Sequence, residues 1–135
     1  MKKLWAIFIT VFLTGVMLPA HASEADELII KLSAARESLL LMILNRDKRD
    51  EDQQRVVENT ADAVSAHLAK MTAPEGKEHQ LSELIEIWKA FKETREKELV
   101  PAILKGDNVL AKDLFGGIQK ERAAKCRALA NELAK

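Results

Sequence analysis

The stretch Leu28-Ile29-Ile30-Lys31-Leu32-Ser33-Ala34-Ala35-Arg36-Glu37-Ser38-Leu39-Leu40-Leu41-Met42 decides the fold class. Within it Leu28, Leu32, Ala35, Leu39 and Met42 follow one another in steps of four and three. Such steps keep apolar side chains on one face of an α-helix, whereas a strand needs a period of two. The seam predicts a first helix from about Ala25 to Arg46.

Toward the C-terminus the same period recurs. Arg46-Asp47-Lys48-Arg49-Asp50-Glu51-Asp52 reads as a solvated turn, with Asp50 or Asp52 placed to cap a second helix. That helix carries Val57, Thr60, Val64, Leu68 and Met71 on one face, and Thr72-Ala73-Pro74-Glu75-Gly76 ends it. A third helix shows Leu81, Ile85, Trp88, Phe91 or Lys92, Arg95 and Leu99. Pro101, lacking an N–H and clashing with the preceding turn, is expected to kink or terminate it. Gly106 suits a C-cap and Asp107 an N-cap. Leu110, Leu114, Ile118, Arg122, Cys126, Leu129 and Leu133 form the inward stripe of a fourth helix. Four such helices with short connections imply an all-α protein, an antiparallel up-down-up-down four-helix bundle.

Toward the N-terminus, Met1-Lys2-Lys3, an apolar run from Leu4 to Leu18, and Pro19-Ala20-His21-Ala22-Ser23 have the order of a cleavable signal peptide. Ala20 and Ala22 take the small-residue positions, so the cut is expected between Ala22 and Ser23. A retained anchor would need roughly 20 apolar residues, and this run has 15 before Pro19. Residues 1–22 are thus read as a leader and 23–135 as one bundle domain, with the periplasm as the expected location.

Without Lys2 and Lys3, 19 basic residues stand against 21 acidic ones. No basic patch survives that balance, which argues against nucleic acid as a partner. One cysteine, Cys126, allows no intrachain disulfide. Tyrosine is absent, and 5 glycines and 3 prolines suit helices better than a β-sandwich.

Helix rise then places a polar layer. Arg36 lies 13 residues before the turn at Arg49, and Thr60 follows it by 11. Arg95 precedes Gly106 by 11, and Gly117 follows by 11. At about 1.5 Å per residue all four sit roughly 17–20 Å from one end. Gly116-Gly117 inside a helix costs about 1 kcal/mol per glycine, an expense that suggests an opening beside the arginines. Guanidinium groups match carboxylate or phosphate. The candidate ligand-binding set is therefore Arg36, Thr60, Trp88, Arg95, Gly116, Gly117 and Arg122. Other arrangements stay open: Arg36 directed outward, Arg95 paired with Glu98 or Glu121, and the glycines admitting Trp88 or Phe91.

Catalytic constellations are missing from the sequence. His67 and His79 fall on different helices, His21 belongs to the leader, and no Glu-x-x-His pair occurs. No Gly-rich phosphate loop and no Ser-His-Asp set can be assembled, so an enzyme is not expected. Cys126 sits on the inward stripe, where a free cysteine packs as a small hydrophobe.

Trp88-x-x-Phe91-x-x-x-Arg95, Val100-Pro101-Ala102-Ile103 and Gly106-Asp107 followed by Ala111 resemble the periplasmic four-helix-bundle sensor domain of methyl-accepting chemotaxis receptors. The resemblance covers the third helix and the early fourth, and the first two helices in pattern alone. It implies sensing of a small molecule or peptide, with Arg36 and Arg95 as contacts. The sequence shows no second membrane span and no signalling region after Lys135, so the expectation is a stand-alone sensor-type protein. Its partner would be a small ligand, anionic if the arginines bind it, or a membrane receptor protein, and a homodimer is compatible with the pattern.

The run from Gly106 to Cys126, with Arg122, also resembles the last helix of soluble periplasmic b-type four-helix cytochromes. That resemblance implies haem held between an early methionine and a late histidine. Here Lys31 and Cys126 stand near those places. No cofactor is therefore expected, and the alternative function is an electron carrier of that type or a haem-less relative.

Overall fold

The computed structural model describes the backbone from Ala20 and the side chains from Ser23. The expected leader lies outside the described residues except for the backbone of its last three. Among the described residues every regular element is helical. They are α1 (Ala20–Leu44), a single 3₁₀ turn (Arg46–Lys48), α2 (Glu51–Lys70), α3 (Glu78–Thr94), a π-turn (Arg95–Leu99), α4 (Val100–Lys105), α5 (Asn108–Gly116) and α6 (Ile118–Ala134). The segments α3, π-turn and α4 are continuous, so the described residues form four helical rods. The first rod, α1, packs along α2 and α6, and α3 packs along α6. No described helix is long and apolar enough to cross a membrane.

The caps fall where the sequence puts them. The Asp50 carboxylate accepts from Gln53 N–H at 2.8 Å and the Asp107 carboxylate from Leu110 N–H at 3.1 Å. Each satisfies a backbone donor that has no partner inside its helix. Gly106 takes φ 78°, a left-handed conformation that favours glycine, and closes α4.

Of the two effects expected of it, Pro101 does not terminate the third rod, and the regular α-helix is interrupted just before it. It stands in the first turn of α4, directly after the π-turn. There the Val100 N–H bonds back to the Arg95 carbonyl, five residues away. The widened turn relieves the ring clash with the preceding carbonyl that would otherwise break the rod.

The fourth rod is not one helix either. It breaks at Gly117, between α5 and α6. A Cβ at Gly117 would lie 2.6 Å from the Asp113 carbonyl oxygen, so only glycine fits this backbone. The expected inward stripe is off by one position up to the first turn after the break and holds at Cys126, Leu129 and Leu133, which are buried. Leu110 and Ile118 are 43% and 44% exposed, while Gln119 is buried in the place expected of Ile118.

Two apolar clusters make the core. One holds Leu28, Val64, Leu84, Trp88, Phe91, Cys126 and Leu129, the other Leu39, Met42, Val57, Leu99 and Ile103. Arg49, assigned from sequence to a solvated turn, ties one end of the protein together. Its guanidinium donates to the carbonyls of Met42 at 2.8 Å and Ile103 at 3.0 Å. Those lie in the last turns of α1 and α4, where the Ile103 carbonyl also accepts from Gly106 N–H and a cation is favoured by the helix dipole.

Candidate ligand-binding site

A buried polar layer separates the two apolar clusters, and Arg95 is its centre. The side chain is 1% exposed. Its Nη1 donates to the Ala35 carbonyl at 2.7 Å and its Nη2 to the Val57 carbonyl at 2.7 Å. Nη2 also lies 3.5 Å from Ser38 Oγ, which donates to the Ala35 carbonyl and meets Thr60 Oγ1 at 2.9 Å. The guanidinium reaches both helices from the π-turn. Burial pushes its pKa down to about 10, so it stays charged near neutrality without a carboxylate in contact.

Sequence reasoning brought Arg95 and Thr60 to one level, and the structure joins them through Ser38. The expected single cavity bounded by Arg36, Arg95, Thr60 and the glycines is corrected on two counts. Both Nη groups of Arg95 are committed to backbone carbonyls. Gly116 and Gly117 form the break of the fourth rod, and the missing Cβ of Gly117 faces its own preceding turn. Arg122 also lies elsewhere. Its Nη1 donates to Thr94 Oγ1 at 2.8 Å and Gln119 Oε1 at 3.1 Å, joining α6 to α3.

Arg36 belongs to a separate site. It follows Ala35 by one residue and so turns about 100° away from the seam. The guanidinium carbon stands 4.2 Å from the centre of the Phe115 ring, a cation–π contact. Its Nη1 is buried and has no hydrogen-bond partner, and burial lowers the pKa of the group. An unmatched buried donor of this kind costs about 1–3 kcal/mol.

Arg36 lines a cavity of about 290 Å³ between α1 and α6. Trp88, Phe91 and Cys126 make a buried floor, whereas Lys120 and Arg127 are exposed at the rim. No carboxylate lines it. The Trp88 and Phe91 rings stack at 5.3 Å, and Trp88 Nε1 is fixed by donating to Ser65 Oγ at 2.9 Å. Of the expected set, then, Arg36 and Trp88 share this cavity. Lys120, Arg127 and Cys126 were missed as its lining. Their signal is Lys120 and Arg127 seven residues apart, with small Ala123 and Ala124 between them.

The lining does not fit an axially ligated haem, because it contains neither histidine nor methionine. Cys126 is its single soft donor, and burial pushes that thiol up to about 11, away from the thiolate that ligates metals. His67 lies elsewhere, its Nδ1 3.3 Å from Lys31 Nζ and its Nε2 2.7 Å from the Glu24 carbonyl. No protein-family model, characterised protein or solved structure matches the chain.

Proposed function

We propose that the chain is an exported, stand-alone bundle of sensor type, its rods running up-down-up-down, that binds a small organic anion between α1 and α6. The observation that carries the reading is a cavity lined by three cations, Arg36, Lys120 and Arg127, and by no acid. A carboxylate there would form a charge-assisted pair with the Arg36 guanidinium. Thermal denaturation with organic acids tests it, since a ligand that binds the native state raises Tm by mass action. At least one acid should raise the Tm of the wild-type protein and leave that of Arg36→Met unchanged. Equal shifts in both proteins, or none in either, would refute the site.

Export rests on the leader sequence. Ala25, two residues after the expected first residue Ser23, is already fully buried, so removal of residues 1–22 spares the described core. Mass spectrometry of the periplasmic fraction should give an N-terminus at Ser23. Finding the intact chain there would refute the cut.

A further inference from the structure

Resting on that reading of the cavity, we infer that its ligand is an aromatic monocarboxylate, bound with the ring inward and the carboxylate at Arg36. Polarity is graded from floor to mouth. The inner wall is Trp88, Phe91 and the thiol of Cys126, all buried, so a polar group carried to that depth would lose water without gaining a partner. The stacked indole and phenyl rings instead offer a third ring the offset or edge contacts that aromatic groups prefer.

The number of anionic groups follows from the donors. Arg36 is the only half-buried cation of the lining. Lys120 and Arg127 are exposed and hydrated, and Arg127 Nη2 already lies 3.4 Å from Ser33 Oγ. One carboxylate pairs with that half-buried cation. A second would remain at the rim, where exposed pairs contribute about 0–1 kcal/mol. Size sets the other limit: at about 290 Å³ the cavity falls at the small end of ligand pockets. It suits one ring on a short stem, and a long acyl chain would project into water.

Calorimetric titration of the full chain with phenylacetate, acetate, succinate and inorganic phosphate tests the assignment. Phenylacetate should bind at least about tenfold more tightly than the other three, since burying as few as two methylene equivalents supplies that factor. Arg36→Met, which keeps an apolar stem of similar length, should weaken phenylacetate by about tenfold or more. Ala124→Phe, on the exposed wall of α6, should block the cavity and abolish binding with the helical circular dichroism unchanged. Succinate or phosphate binding as tightly as phenylacetate, and through Arg36, would overturn the aromatic class while leaving the anion site standing. Phenylacetate binding equally to Arg36→Met, or no binding by any of the four, would overturn both.

Discussion

Arg95→Ala should destabilise the protein by about 3–5 kcal/mol, while Arg95→Met should stay within about 1 kcal/mol of wild type. Truncation to alanine empties a large buried volume, for which losses of about 2–5 kcal/mol are usual. It also removes two short donations to the carbonyls of Ala35 and Val57. Against this, the lowering of its pKa to about 10 means that burying the charge opposes folding. That opposition is on the order of 3 kcal/mol, and both substitutions relieve it. Methionine refills most of the space, so its lost bonds and its relieved desolvation nearly cancel. Urea denaturation gives the comparison directly. If alanine and methionine cost the same, packing around the polar layer is not what Arg95 supplies. A loss under 1 kcal/mol for alanine would show that the guanidinium does not hold α1, α2 and the π-turn together.

Stability should also fall between pH 9 and 10, and Cys126→Ala should remove most of that fall. Burial raises the thiol from 9.0 to about 11 in the folded chain. The unfolded chain therefore releases the proton first, and stability declines as pH rises through that interval. The slope is about 1.4 kcal/mol per pH unit while the two states differ by one proton. Arg95 has the opposite sign. Its folded pKa is lowered to about 10, so above that pH the folded chain loses the proton first and stability recovers. Between pH 9 and 10 the thiol effect is the larger, with Arg95 half deprotonated only at the upper edge, and the absence of tyrosine removes another group that would titrate nearby. Denaturation midpoints at pH 8, 9 and 10 for both proteins decide the matter. Parallel curves would mean that Cys126 is not protonated by burial.

The helices were legible because their signals are local. The seam from Leu28 to Met42, the carboxylates of Asp50 and Asp107, and Gly106 each act within a turn of chain. Axial level was legible too, since rise per residue is fixed, and it brought Thr60 and Arg95 together. Direction around the axis was harder. Arg36 directly follows a seam residue and so faces away from the seam, which the level alone does not reveal. The stripe of the fourth rod is displaced by one position at Leu110 and Ile118, where Ala111 and Gln119 are buried instead, and holds at Cys126, Leu129 and Leu133. Arg49 was hidden because a charged run looks hydrated, yet one of its members reaches back to close two helix ends. Lys120 and Arg127 became a rim only once α6 lay beside α1.

The turn at Arg95–Leu99 also acts as a phase shifter. A π-turn holds one residue more than an α-turn, and each residue rotates a helix by about 100°. The extra residue lets Phe91 and Leu99, eight positions apart, both face the interior, with Arg95 directed between α1 and α2. Deleting a residue here would therefore do more than shorten the rod. It would swing Ala102 and Ile103 out of the core and carry Gly106 and Asp107 away from the point where α5 must begin. The length of this segment is a timing element, so a chain that loses or gains one residue there has to rebuild everything downstream.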